Sequence, residues 1–331
     1  MMYEITVTLG PSSEATSMWK DLLSCGASGF RLNTSHLTME QLHRWLDRLI
    51  PFLESLDGQV PLVLDLQGSK WRLGDFPPVD LECGQRIELV CASSSDKKGV
   101  LPVPHQDFFK AAPLSSGEIV LNDAKSYLVV EVVGTDSIQA SVTKGGLISP
   151  RKGITFTSSA YRKETLNVKD QEILEQTIHL DSIRYALSYV KDTEEMSAYR
   201  AFFGDRAYLI AKLERKPALE EALGIGLLAD ELWLCRGDLG AEMGLKKMAQ
   251  AVRNFSNQVG QVSVPVHLAG QVLEHMSAHP TPTRSEVCYL HDALTMGYRG
   301  LVLSDETAIG IYPVESCLAA ALFRSGLDTG A

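Results

Sequence analysis

The sequence lacks long hydrophobic runs, clustered cysteines and a targeting segment. No apolar stretch approaches the roughly 20 residues that a membrane-spanning helix needs, so we expect no membrane segment. The N-terminus has no charged stretch followed by an apolar one, and so does not resemble a signal peptide. The six cysteines form no CxxC pair and have no histidine at zinc-ligand spacing, which is typical of reduced thiols. These absences favour a cytoplasmic protein.

Positive charge is also scarce. The chain has 31 Lys and Arg against 41 Asp and Glu, which gives a net charge of −10. This balance argues against nucleic acid or an anionic membrane as a partner, and it leaves self-association into a homo-oligomer open. An acidic protein that binds anions must gather its basic residues locally.

Short apolar strands alternate with amphipathic helices over most of the 331 residues. The predicted strands are Glu4–Leu9, Gly29–Leu32, Pro61–Asp65, Ser182–Tyr189, Ala207–Lys212, Glu231–Cys235, Val264–Leu268 and Gly300–Leu303. The helices predicted from the pattern include 38–56, 168–179, 193–203, 217–228 and 284–296, with a capping box at Thr38 and a helix entry at Thr165. Eight β-then-α units predict an α/β fold, a (β/α)8 TIM barrel.

One stretch interrupts this alternation. Between residues 73 and 153 the helical periodicity disappears, and alternating strands separated by Gly, Pro, Ser and Asp take over. We expect a small all-β lid domain inserted after strand 3, over the mouth of the barrel. The catalytic barrel domain then comprises residues 1–72 and 154–331.

The most informative motifs are Ala211-Lys-Leu-Glu214 and Arg236-Gly-Asp-Leu-Gly240, each of which closes an apolar run. Lys212, Glu214 and Asp238 are thereby expected at the carboxyl ends of barrel strands, where TIM barrels carry their active sites. Two carboxylates beside one ammonium suit a divalent cation and a transferring phosphoryl group. The alternative is a purely structural pair of carboxylates bridged by Lys212 and Arg236. The many polar residues at the same predicted barrel end favour the metal site. Arg236–Gly240 is interpreted as a turn whose backbone N–H groups can hold a carboxylate or phosphate.

These motifs and several others occur in the order and at the spacing found in one family, the pyruvate kinases, which the chain resembles over essentially its whole length. The matching segments are Thr8-Leu-Gly-Pro-Ser-Ser13, Arg31-Leu-Asn-Thr-Ser-His36, Leu64-Asp-Leu-Gln-Gly68, Ala211-Lys-Leu-Glu214, Arg236-Gly-Asp-Leu-Gly240, Pro282-Thr-Arg-Ser-Glu286 and Leu303-Ser-Asp-Glu-Thr-Ala308. The all-β insert corresponds to that family's mobile lid. The family's C-terminal domain has no counterpart in the sequence, so we expect no regulatory domain and no sugar-phosphate activation.

The resemblance implies roles for individual residues. Arg31 and Lys212 would be the catalytic residues and would bind the phosphate of phosphoenolpyruvate. The backbone of Gly237 and Asp238 would meet its carboxylate, and Glu214 with Asp238 would hold Mg²⁺ or Mn²⁺. The residues that would bind ADP or ATP under the lid are His36, Arg72 and Lys152. The residues that surround potassium in the family correspond to Asn33, Ser35 and Asp65.

Four positions depart from the family pattern, one of which is Ala124 in place of a lid glycine. Lys70 stands in place of a glutamate, and its ammonium can replace the monovalent cation, so we expect no potassium requirement. Gly270 replaces a threonine that touches the substrate carboxylate, and Ile309 replaces a lysine that helps to bind the nucleotide phosphates. The phosphoryl-handling side is therefore retained, whereas the acceptor side is altered.

Three functions remain open on these grounds. The first is phosphoryl transfer from phosphoenolpyruvate to ADP, giving pyruvate and ATP. The second keeps phosphoenolpyruvate or the pyruvate enolate but uses a different acceptor, because Gly270 and Ile309 alter that side. The third is a binding protein without activity, against which the retention of Lys212, Glu214 and Asp238 argues.

Overall fold

The computed structural model describes residues 2–56, 59–68, 71–122, 125–156 and 166–324. The chain divides into two compact units. The first comprises Met1–Gly68, Leu166–Arg236 and Val252–Ala331, and the second comprises Ser69–Thr165 and Gly237–Ala251.

The described residues form strands and helices in the following order along the chain. The strands are Glu4–Thr8 (β1), Gly29–Asn33 (β2), Leu62–Asp65 (β3), Val79–Leu81 (β4), Arg86–Val90 (β5), Val100–Pro102 (β6), Glu118–Leu121 (β7), Ser126–Val133 (β8), Ser137–Lys144 (β9), Gly146–Ile148 (β10), Ile154–Phe156 (β11), Ile183–Leu187 (β12), Tyr208–Leu213 (β13), Glu231–Cys235 (β14), Val266–Ala269 (β15) and Gly300–Leu303 (β16). The helices are Thr16–Ser24 (α1), Met39–Glu54 (α2), Gln106–Ala111 (α3), Val168–Thr177 (α4), Thr193–Phe203 (α5), Lys216–Glu220 (α6), Ala222–Gly226 (α7), Arg236–Met243 (α8), Leu245–Ser256 (α9), Arg284–Thr295 (α10), Asp305–Ala308 (α11) and Pro313–Ala320 (α12).

The first unit contains the predicted TIM barrel. Eight parallel strands close in the order β1-β16-β15-β14-β13-β12-β3-β2, so the predicted fold class is confirmed. The strands are almost completely buried, as expected for parallel strands covered on both faces. Their inward side chains include Val63, Ile210 and Trp233, which pack in the barrel interior.

Each of the eight predicted barrel strands is present, with ends shifted by at most two residues. The capping box is confirmed as well, because Thr38 Oγ1 accepts the Gln41 N–H and the Gln41 side chain accepts the Thr38 N–H. Thr165 lies outside the described residues. The N-cap of α4 is Asn167, whose side chain accepts the Asp170 N–H.

Three predictions of local structure were wrong. The stretch predicted as all-β contains α3, a helix too short to show periodicity, which contributes the buried Phe108 and Phe109. The predicted helix 217–228 is two shorter helices, α6 and α7. The glycine-containing segment Arg236–Gly240, interpreted as a turn, forms the first turns of α8.

The second unit has its own hydrophobic core. A six-stranded sheet, ordered β11-β7-β8-β9-β5-β6, is accompanied by the pair β10-β4. Phe108 and Phe156 stack with ring centroids 4.6 Å apart, and Trp71 packs edge-on against both. The segment 69–165 lies between β3 and α4 in the chain, where the sequence analysis placed an insert at residues 73–153.

Of the helices that the structure describes, none combines the length and apolarity that crossing a bilayer requires.

Candidate active site

Asp65, the last residue of β3, binds two cationic side chains at the carboxyl end of the barrel. Its Oδ2 accepts hydrogen bonds from Arg31 Nε at 2.9 Å and from Arg31 Nη2 at 2.5 Å. Arg31 lies on the adjacent strand β2, and its Nη1 donates to Thr8 Oγ1 at 2.7 Å. The Arg31 and Asp65 side chains are 9% and 2% exposed. The guanidinium therefore has one orientation, fixed from two sides.

Lys212 is the second cation on Asp65. Its Nζ lies 3.1 Å from Asp65 Oδ1, 3.0 Å from Glu214 Oε1 and 2.9 Å from Ser188 Oγ. Glu214 follows β13, and its Oε2 accepts the backbone N–H of Tyr189 at 2.8 Å. Three protein contacts thus hold the ammonium, and one carboxylate of the predicted metal pair is fixed beside it.

The charges in this network are mutually stabilising. Burial disfavours the charged form of Lys212, but Asp65 and Glu214 outweigh it, so the pKa of Lys212 is raised. Burial likewise acts to raise the pKa of Asp65, but Lys212 and Arg31 together lower it. Lys212 and Asp65 are therefore both charged at neutral pH, and the Lys212 ammonium is available for anion binding and phosphoryl transfer.

The segment after β3 is held from α4 by Asp170, a buried carboxylate. Its two oxygens accept the backbone N–H groups of Gln67 at 3.1 Å and Gly68 at 2.9 Å. Gly68 has a φ of +62°, and a Cβ there would lie 2.7 Å from the carbonyl oxygen of Ser188. Ser188 donates to the Leu66 carbonyl and contacts Lys212. The close packing of Gly68 against Ser188 therefore connects Asp170, which binds Gly68, to Lys212.

Burial, opposed by the Gln67 and Gly68 amides, raises the pKa of Asp170 to about 6. A raised folded-state pKa means that this group's stabilisation is complete below its unfolded pKa and is lost as pH rises through about 6. Asp170→Asn removes the titration, so its free energy of unfolding relative to the unmodified chain should rise by about 2 kcal/mol between about pH 4 and about pH 8. Urea unfolding at both pH values measures this, and a difference that does not change with pH would contradict it.

Asp192→Asn is the matched control in the next βα unit. Asp192 caps α5 by accepting the Glu195 N–H. Its slight burial acts to raise its pKa, but that hydrogen bond and Lys191 lower it overall. The relative stability of this variant should therefore change with pH in the opposite direction.

Gly237 and Asp238 lie in the first turn of α8 and belong to the second compact unit. Arg236, the first residue of that helix, donates to the carbonyl oxygens of Gly270 and Gln271. The sequence analysis left open a purely structural role in which Arg236 bridges Glu214 and Asp238. These contacts, all to backbone carbonyl oxygens, do not support that alternative. Gly270 has a φ of +75°, a region that a β-branched threonine enters only with strain.

The other predicted site residues lie in both units. Asn33 is the last residue of β2, and its side chain accepts the N–H of Ser35 in the turn Thr34–His36 that follows, where His36 is exposed. In the second unit Arg72 pairs with Gly153 in a β-bridge, and the Leu73 N–H donates to the Lys152 carbonyl. Lys70 and Ala124 lie outside the described residues.

The sequence analysis missed two residues of this network, Ser188 and Asp170. Ser188 follows the apolar run of β12, so the signal that identified the other strand-end residues applied to it too. Asp170 lies in the first turn of a helix, where an acidic residue is expected for helix stability alone. Only the fold shows that it binds another segment.

Comparison with known proteins identifies the family. Residues 2–317 match the model of the pyruvate kinase barrel domain. The chain is 32% identical over 317 residues to a pyruvate kinase of Agrobacterium vitis, 31% over 315 residues to one of Methylorubrum extorquens and 30% over 319 residues to one of Thermococcus litoralis. These alignments cover 95% of this chain but 65%, 66% and 67% of the relatives, so the chain spans about two thirds of their length. The chain belongs to the pyruvate kinase family.

Proposed function

We propose that this protein catalyses metal-dependent transfer of the phosphoryl group of phosphoenolpyruvate to ADP, giving pyruvate and ATP. The observation that carries the proposal is the buried ammonium of Lys212, held between Asp65 and Glu214 with Arg31 on the other side of Asp65. Phosphoryl transfer depends on positioning and charge stabilisation rather than on covalent chemistry by the protein, and this network supplies fixed positive charge.

The donor set fits Mg²⁺ or Mn²⁺. Glu214 offers a carboxylate oriented by the Tyr189 amide and Lys212, and Asp238 would supply the second carboxylate. Hard divalent cations prefer such oxygen ligands. The ion would neutralise charge on the phosphoryl group and the enol oxygen when bound.

Arg31 and Lys212 would bind the phosphate of phosphoenolpyruvate. The backbone N–H groups of Gly237 and Asp238 lie in the first turn of α8, the end of a helix that attracts anions, and they would bind the substrate carboxylate. As the bond between phosphorus and the enol oxygen breaks, the phosphoryl group would pass to a terminal oxygen of ADP near His36, Arg72 and Lys152. The enolate would then take up a proton at its methylene carbon to give pyruvate.

A coupled assay with phosphoenolpyruvate, ADP and Mg²⁺ tests this proposal. We expect pyruvate and ATP to form in equal amounts, and only when the metal is present. Binding of phosphoenolpyruvate without turnover of ADP would overturn the assignment of the acceptor. Absence of metal-dependent phosphoenolpyruvate binding would overturn the proposal as a whole.

Glu214→Gln should weaken metal binding before it affects the fold, because an amide is a poorer ligand but can still accept the Tyr189 N–H. We expect Mn²⁺ affinity to fall by about 10- to 100-fold, in the range seen when metal sites lose supporting groups. Electron paramagnetic resonance of free Mn²⁺ measures this. Glu194→Gln, an exposed carboxylate in the first turn of α5, is the control, and equal affinities in the two variants would exclude Glu214 as a ligand.

Lys70 should make potassium unnecessary, since its ammonium would supply the positive charge otherwise supplied by the ion. The initial rate should therefore differ by less than about twofold between potassium and tetramethylammonium salts, compared at equal ionic strength because salt screens charged sites. Lys70→Glu should introduce a dependence on potassium. A rate that already rises steeply with potassium in the unmodified chain would refute this expectation.

A further inference from the structure

A second polar cluster occupies the amino-terminal end of the barrel, opposite the strand ends that carry the candidate active site. It contains His267 of β15 and two glutamates, Glu231 and Glu4, which are the first residues of β14 and β1. The His267 and Glu231 side chains are 1% and 2% exposed, whereas Glu4 is 48% exposed. The cluster is therefore buried on one side and open to solvent on the other.

The three side chains converge closely enough to share one ion. His267 Nδ1 lies 2.7 Å from Glu231 Oε1, and one candidate ligand atom from each of the three residues lies within 4.8 Å of the others. Gly300 makes room for the imidazole, because a Cβ there would lie 2.5 Å from His267 Nε2. Among the described residues, Nε2 has no hydrogen-bond partner.

The charge of the cluster also favours a cation. Two carboxylates face one guanidinium, that of Arg184, whose Nη1 lies 3.4 Å from Glu231 and 3.7 Å from Glu4. Both distances are long for a charge-assisted hydrogen bond. Arg184 instead stacks on Tyr208, with its Cζ 4.1 Å from the ring centroid. Arg184, whose side chain is 23% exposed, therefore neutralises the two carboxylates only from long range. Glu231 also accepts hydrogen bonds from the neutral donors Trp233 Nε1 at 2.5 Å and Tyr208 Oη at 3.1 Å, and these add no positive charge.

From this geometry we propose that Glu4, Glu231 and His267 form a second metal site, selective for Zn²⁺ and similar transition-metal ions. One imidazole nitrogen and two carboxylate oxygens are ligands that such ions accept readily. Mg²⁺ instead prefers oxygen donors throughout. The solvent-exposed side at Glu4 gives the ion access and a place for a water ligand. Arg184 is the competing cation, so binding of the metal requires its guanidinium to turn away.

Zn²⁺ titration in excess Mg²⁺ tests the site, because Mg²⁺ saturates an oxygen-only catalytic site. We expect one equivalent of Zn²⁺ to bind in competition with a chromophoric chelator. His267→Gln and Glu4→Gln should each weaken binding at least about tenfold. Arg184→Gln should instead strengthen binding about tenfold, because it removes a competing positive charge. Glu4 is half exposed, so its variant tests the proposal even if His267→Gln does not fold.

His43→Gln is the control, since His43 is a half-buried histidine bonded to Gln176 in the same unit, and the Zn²⁺ affinity of this variant should be unchanged. Co²⁺ provides a second readout, because its visible absorption should change with His267→Gln but not with His43→Gln. Failure to bind Zn²⁺, equal affinity after His267→Gln and Glu4→Gln, or weaker binding after Arg184→Gln would each overturn the proposal. None of these readouts depends on the reaction proposed above.

Discussion

Lys212→Met should lower kcat by about 10³- to 10⁵-fold, the range associated with losing a cation that stabilises the transferring phosphoryl group. Methionine keeps most of the length and volume of lysine but carries no charge. In the structure the ammonium lies within 3.1 Å of two carboxylates and is almost completely buried, so no neighbouring solvent can replace it. Steady-state kinetics with phosphoenolpyruvate and ADP measures the loss.

Folding should survive this substitution. Asp65 keeps both hydrogen bonds from Arg31, and Glu214 keeps the Tyr189 amide, so neither carboxylate is left without a donor. We therefore expect cooperative unfolding in the variant. Lys216→Met, which removes an exposed lysine paired with Glu220, should leave kcat unchanged. Substantial activity in the Lys212 variant would show that the phosphoryl group is bound elsewhere.

The order of the barrel strands could be predicted because each one is a short apolar run bounded by turn residues, from Glu4–Thr8 to Gly300–Leu303. Such runs are typical of parallel strands buried on both faces. The pairing of Lys212 with Glu214 is local, since the two residues are separated by one position. The strand-end position of Asp65 was equally visible in the sequence.

The contacts of Asp65 could not be predicted in the same way. Its assignment to a potassium site by resemblance stays a prediction, and the structure shows in addition that it pairs with Arg31 and Lys212. A sequence does not show which cation a strand-end carboxylate will contact, because that depends on strand register and on burial. The cluster at the opposite barrel end was missed for a related reason. His267 and Glu231 lie in apolar strands and carry no motif, and only closure of the barrel brings them together.

Asp65→Asn should have the largest effect on stability, about 3–5 kcal/mol, which is the cost of removing one partner from a buried ion pair. Arg31 and Lys212 would both lose the carboxylate that they share, and Lys212 would keep its contact with Glu214. Because the folded-state pKa of Asp65 is lowered, its stabilisation is present above the unfolded pKa and is lost as pH falls through the folded one. The free energy of unfolding of the variant and of the unmodified chain, measured with urea, should therefore differ most at neutral pH and less in acid.

The double variant Arg31→Met/Asp65→Asn separates this ion-pair effect from a general loss of packing. Removing both partners leaves one fewer unpaired cation, so the double variant should be destabilised by less than the sum of the two single variants. A double-mutant cycle measures this coupling. If the two effects were simply additive, Asp65 would not stabilise the barrel through Arg31, and the orientation proposed for the guanidinium toward phosphoenolpyruvate would lose its physical basis.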